Sequence, residues 1–350
     1  MSALVVCTGG GIGDVLLATP VMRALHARYG EVVALTTPAH RDVLANDPDL
    51  ADVWTTSSFP DDLARTAARR FDAAVVTWAC LRSAALPFFA RIPERVGQAR
   101  RLYSALFTRR VVVRSERGDR TSHWTQILLD FARALDCDVH DATPIFTVDD
   151  AARASLADTL ASAGVGAPYV VLHPTRGISA ARGRWPVQTL GTLARELGRQ
   201  AAPTVVVTGS AADRAVGERV AEIGGAVSLA GRTSLREFAA LAAGARAVVA
   251  MDSGPMHVAA AVGAPTLGLF PLRSDEPLRW APLGPRAAVL RGIYACPPSH
   301  RKETCPNFAC VEALDVPRVL AALDGLLAPQ RGPRTESSVS SATTCAEPHA

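Results

Sequence analysis

The chain has 350 residues, long enough for two ordinary domains, with 49% hydrophobic and 20% charged residues as in soluble globular proteins. A net charge of +4 is too small to argue for nucleic acid, and no apolar run approaches the ~20 residues that span a bilayer. No basic segment precedes an apolar one at the N-terminus, so a cytoplasmic protein without a signal peptide is expected. The seven cysteines are scattered and read as reduced thiols. Lys302 is the only lysine, so arginine carries almost all the positive charge.

Short apolar runs alternate with segments of helical period. LVVC (4–7) reads as a strand and 14–29 as a helix that Pro20 bends. VVALTT (32–37) and FDAAVVTW (71–78) are the next strands. The rhythm restarts after the loop-like GVGAP (164–168), with strands YVVLHP (169–174), TVVVTG (204–209), AVVAM (247–251) and TLGLF (266–270). Near-continuous apolar strands separated by helices predict parallel sheets covered on both faces. The expected architecture is α/β: one Rossmann-like domain over 1–163, a second over 164–330, and a disordered polar tail over 331–350. Ligands in such folds bind beyond the carboxyl ends of the strands, here in a cleft between the domains.

The loop GGGIGD (9–14) follows the first strand but is not a dinucleotide fingerprint. In G-x-G-x-x-G the third glycine would fall on Asp14 or Leu16, and no Gly-Lys-Ser/Thr follows. Asp14 reads as an N-cap, as a base, or as both. Its helix-start position lowers its pKa, and desolvation in a cleft opposes this. Gly11 and Gly13 let the backbone pass close to a ligand.

Three further motifs follow strands. In HPTRGISAARGRWP (173–186), Thr175, Arg176, Arg182 and Arg184 precede a helix with Pro186 in its first turn. Hydroxyls, guanidiniums and a helix start suit a diphosphate, and a solvated basic loop is the plainer reading. In MDSGPMH (251–257), Asp252 or Ser253 caps a helix. Gly254 permits close approach there, and His257 lies near the first turn. Asp213 accepts ribose hydroxyls or acts as an N-cap. Arg82, Arg91, Arg95, Arg100, Arg101, Arg109, Arg110 and Arg114 form either a solvated face or a surface for an acidic acceptor. Cys296, Cys305 and Cys310, with His300 among them, lack the close CxxC pairs of a zinc site, so no metal is expected.

GGIGDVLLATPVMRAL, HPTRG…RWP, LAGRTSLREFAALAAGA and MDSGPMHVAAAVGAPTLGLFP occur in this order. Together they resemble glycosyltransferase family 9, the ADP-heptose:lipopolysaccharide heptosyltransferases, over roughly residues 3–325. The resemblance implies a GT-B fold and an inverting, metal-independent transfer from an ADP-activated heptose. The ADP-sugar is then a co-substrate and no cofactor is needed. Asp14 matches the family's base, while Asp252, Ser253, Gly254 and His257 match the donor diphosphate and sugar site. Thr175 matches a phosphate-contacting hydroxyl, and Thr233 and Asp213 fall near the adenosine. The family lysine two residues before the motif tryptophan is Gly183 here, so Arg182 or Arg184 is expected to replace it. The implied acceptor is the lipopolysaccharide inner core, with peripheral contact at the inner membrane face. Competing readings are a small-molecule acceptor such as an antibiotic intermediate, a GT-B sugar-nucleotide epimerase, and a non-catalytic nucleotide-binding protein.

Overall fold

A computed structural model describes residues 1–175, 185–201, 204–272, 276–292, 294, 305 and 308–328. Its apolar runs form two separate six-stranded sheets, parallel throughout. The first contains β1 (Ser2–Cys7), β2 (Glu31–Thr36), β3 (Asp52–Thr55), β4 (Ala73–Val76), β5 (Glu94–Gln98) and β6 (Arg109–Val111). Their order is β3-β2-β1-β4-β5-β6. The second contains β7 (Tyr169–His173), β8 (Thr204–Val207), β9 (Val227–Ser228), β10 (Ala247–Met251), β11 (Thr266–Phe270) and β12 (Ala287–Arg291). Here the order is β12-β11-β10-β7-β8-β9.

The two sheets share one winding: each starts in the middle, runs to one edge, and returns to build the other. The order reverses between β1 and β4 in one sheet and between β7 and β10 in the other. Crevices open at such points, beyond the carboxyl ends of the strands. Val5 lies level with Ala34 on one side and Val75 on the other, so β1 is flanked by apolar chain along its length. These central strands are buried on both faces, which is why they read as unbroken apolar runs. The edge strands β3, β6, β9 and β12 are short or partly exposed and carry polar residues, so no periodicity announces them.

The helix expected over 14–29 is two helices, Ile12–Leu16 and Thr19–Tyr29. Pro20 stands in the first turn of the second, where its missing N–H leaves no helical bond unmade. Thr19 Oγ donates to the Leu16 carbonyl at 2.8 Å and closes the joint. Pro186 is likewise the N-cap residue of Val187–Gln200 and not part of its first turn.

The halves also join where the helix Asp150–Ser162 packs on Leu235–Gly244. Ser155 Oγ donates to Glu237 Oε1 at 2.6 Å, and Arg236 pairs with Asp149. Buried side chains from both halves, among them Phe146, Leu156, Phe238 and Leu241, belong to one core. Among the described residues no helix is long and apolar enough to cross a membrane. The described cysteines Cys7, Cys80, Cys137, Cys305 and Cys310 are unbridged.

Candidate active site

Asp14 is not the N-cap of its helix. Gly11 holds that position, and Asp14 stands in the first turn with one carboxylate oxygen accepting the Gly11 N–H at 2.8 Å. Gly10 has φ +76°, and a Cβ there would lie 2.5 Å from a carboxylate oxygen of Asp14. The glycine run thus folds the chain tightly over its own acid. Burial raises the Asp14 pKa above the ordinary carboxylate value, while the Gly11 N–H and the nearby His40 pull the other way. Desolvation therefore outweighs these opposing contacts. His40, which shares a 3.2 Å hydrogen bond with Thr37, has its own pKa lowered by burial against the attraction of Asp14.

The MDSGPMH segment begins at the end of β10 and meets this loop directly. A Cβ on Gly254 would lie 2.8 Å from Ile12 Cβ and 3.2 Å from the Gly13 nitrogen. A Cβ on Gly13 would lie 3.1 Å from His257 Cδ2. Two helix starts, one from each half, therefore touch backbone to backbone. Ser253 is the N-cap residue of Gly254–Ala261, but its hydroxyl donates back to the Met251 carbonyl at 2.8 Å. The first turn is left without a side-chain cap, contrary to the expected capping by Asp252 or Ser253. Asp252 is half-buried, with its N–H on the Leu269 carbonyl at 3.0 Å.

His257 is buried. Desolvation, and then the proximity of His123, depress its pKa to about 3. It is a neutral imidazole at neutral pH and offers hydrogen bonds, not charge. His173, at the end of β7, behaves alike: burial lowers it to about 4 although Asp213 attracts its proton. Its ring bonds Thr208 Oγ at 3.0 Å and approaches the buried Thr175 hydroxyl at 3.5 Å. Asp213 follows β8 and takes the Ser210 N–H at 3.0 Å and the Ser210 hydroxyl at 2.6 Å. It closes its own turn and does not cap the helix Arg214–Gly224 with its side chain. Thr233 is half-buried in the turn just before Ser234, whose hydroxyl caps Leu235–Gly244. Arg176, Arg182 and Arg184 lie outside the described residues, as do Cys296 and His300. Among the described residues no group of three or more His, Cys, Asp or Glu could hold a metal ion.

Four of the eight arginines over residues 82–114 of the first half have carboxylate partners among the described residues. Arg82 contacts Asp62 at 3.0 Å, beside Arg65 on the same buried carboxylate. Arg101 pairs with Glu116 at 2.9 Å, and Arg100 donates to the Glu116 carbonyl at 3.3 Å. Arg109 pairs with Glu94, and Arg114 with Asp130. Arg82 and Arg101 line different cavities.

Three tryptophans gather at the mouth of the cleft, and no motif points to them. Trp78 and Trp124 of the first half meet edge-on at 5.8 Å, and Trp280 of the second lies against Trp124 at 5.2 Å. His123 adds a contact across the cleft, with Nε2 at 2.9 Å from the Ala281 carbonyl. Their separations in the chain follow no helical or strand period.

Residues 63–308 match the model of glycosyltransferase family 9 (heptosyltransferase). The chain is 30% identical over 247 residues to lipooligosaccharide heptosyltransferase 2 of Haemophilus influenzae, covering 66% of this chain and 68% of that one. It is 26% identical over 344 residues to lipopolysaccharide heptosyltransferase 2 of Salmonella typhimurium, covering 90% and 96%. The solved structure of E. coli ADP-heptose lipopolysaccharide heptosyltransferase II superposes with a TM-score of 0.77 at 24% identity, covering 93% of this chain and 98% of that one. A family 9 glycosyltransferase from Veillonella parvula gives 0.80 at 18% identity, covering 93% and 97%. These structural likenesses establish the two-sheet GT-B fold, and the family match establishes the enzyme class: the chain belongs to glycosyltransferase family 9, the heptosyltransferases.

Proposed function

We propose that the chain transfers a heptose from an ADP-heptose donor to an acceptor hydroxyl of the lipopolysaccharide inner core, with inversion and without a metal. The observation that carries this reading is the contact of Gly13 with Gly254. It brings the loop that carries Asp14 against the helix start after β10, which has no side-chain cap. A base for the acceptor and a cradle of N–H groups for the leaving diphosphate belong at such a meeting point.

The step is a single displacement. Asp14 takes the proton of the acceptor hydroxyl. The hydroxyl oxygen bonds to the anomeric carbon on the face opposite the diphosphate. The bond from that carbon to the diphosphate oxygen breaks, and ADP leaves with the electron pair. Burial, by raising the Asp14 pKa, makes it a stronger base than an exposed carboxylate. Thr175, Gly254 and neutral His257 contribute hydrogen bonds or close backbone approach at the donor, and Asp213 and Thr233 lie on the adenosine side. Arg182 or Arg184 supplies the positive charge that a lysine provides elsewhere in the family.

Asp14→Asn tests this reading. Product formation from ADP-heptose, followed by mass spectrometry, is expected to vanish while ADP affinity by calorimetry holds. Near-normal turnover would leave Asp14 as a structural residue. Undiminished activity in a chelator and no transfer from GDP- or UDP-heptose are expected alongside.

A further inference from the structure

Between Asp72 and Glu116 the chain carries eight arginines and a single acid, Glu94, which is paired with Arg109. The same stretch exposes large apolar side chains. The helix Leu81–Phe89 buries its middle, residues 83–87, and leaves both ends in solvent. Leu81 is 66% exposed and Phe89 58%, and Phe88 is exposed beside it. Leu81 and Phe88 stand seven residues apart, about two helical turns, and so project on the same side. The segment Leu102–Leu106 packs on this helix and holds Leu102 wholly in solvent. Large apolar side chains gathered on one surface mark a site of interaction, whereas scattered ones need no explanation.

Arginines stand among these side chains. Phe88, Phe89, Arg91 and Arg95 line one groove with Ile92 and Pro93. The Arg95 guanidinium lies 5.5 Å from the Phe88 ring centre. Its Nε donates to the Leu106 carbonyl at 2.8 Å, which ties the groove to the second segment. Arg91 is exposed and has no ion pair among the described residues. The face begins beside the candidate base. Trp78, three residues before Leu81, covers Gly9 so closely that a Cβ there would fall 1.9 Å from its ring.

We infer that this face is the surface by which the chain lies on an anionic lipid bilayer. Leu81, Phe88, Phe89 and Leu102 enter the headgroup boundary, and Arg91 meets lipid phosphates. Leucine and phenylalanine beside arginine is the composition of interfacial anchors, and each basic side chain near an anionic leaflet adds attraction. A second copy of the chain is the poorer occupant. Two copies meeting on this face about a two-fold axis would set arginine against arginine. The inference rests on the reading that the acceptor is lipid-borne, and it names the surface and the lipid charge that bring the acceptor to Asp14.

Co-sedimentation of the full chain with vesicles free of lipopolysaccharide tests it, comparing vesicles that contain phosphatidylglycerol with vesicles of phosphatidylcholine alone. The anionic vesicles are expected to bind at least ~10-fold more tightly at low salt, and high salt to shrink that preference. The double variant Phe89→Ser/Leu102→Ser is expected to lose vesicle binding at least ~10-fold, with melting temperature and ADP affinity unchanged. Arg91→Glu is expected to cut the anionic preference at least ~3-fold. Equal binding to both vesicles, no binding, or unchanged behaviour in either variant would overturn the inference. So would a dimer in sedimentation velocity that the double variant dissolves, which would give the face to a second copy. Transfer from ADP-heptose is scored separately through Asp14, so either reading can fail alone.

Discussion

Gly13 and Gly254 stand so close across the cleft that a Cβ on the first would lie 3.7 Å from the Cα of the second, and a Cβ on the second 3.2 Å from the nitrogen of the first. Two helix starts from two sheets meet where side chains have no room. The spacing between base and donor cradle is thus set by backbone contact, which is stiffer than a side-chain bridge.

Gly254→Ala should therefore separate these elements or strain the chain. The added methyl would lie 2.8 Å from Ile12 Cβ, closer than van der Waals contact allows. A destabilisation of ~1–3 kcal/mol is expected from overpacking, together with a fall in kcat. Thermal melts and turnover measurements check both. Unchanged values would mean that the helix start shifts freely.

The Asp14 carboxylate must be ionised to accept a proton, and burial raises its pKa. The acid limb of kcat/KM should lie above the ~3.9 of an ordinary aspartate. Turnover in Asp14→Asn should fall by at least ~100-fold, since a general base contributes ~10²–10⁴. A pH–rate profile with no limb above 4 in the wild type would contradict the assignment.

His257 and His173 have folded pKa values of about 3 and about 4. The unfolded imidazoles take up protons below ~6.5, where the folded ones do not. Their contribution to stability is complete above ~6.5 and is lost as pH falls from there toward the folded values. The expected slope is ~1.4 kcal/mol per pH unit for each histidine. Urea denaturation at pH 7, 6 and 5 measures it, and His257→Gln should remove about half.

Asp47 has the opposite sign. It is 6% exposed, and burial raises its pKa to about 6 although the Asp49 N–H at 2.9 Å favours the anion. Below ~3.9 both states are protonated and the contribution is complete. It is lost as pH rises through about 6. Asp47→Asn keeps the acceptor for Asp49 without the buried charge. It should be more stable than wild type at pH 7.5, by up to ~3 kcal/mol, and equal to it near pH 4. Equal melting temperatures at both pH values would contradict this.

The central strands β1, β2, β4, β7, β10 and β11 are legible in the sequence because burial on both faces leaves an unbroken apolar run. The family is legible too, since its motifs sit in contiguous loops whose residue types and order survive without any knowledge of packing. Pro20 announced a disturbance, but two helices in place of one bent helix depended on the joint at Thr19. Tertiary structure alone decided what each polar side chain faces. Arg82 and Arg101 are taken up by Asp62 and Glu116. Likewise Trp78, Trp124 and Trp280 meet only because two sheets face each other. Such pairings join residues up to about 150 positions apart, and local periodicity carries no record of them. A strand's burial is written along itself, whereas a partner's identity lies wherever the fold brings a second segment.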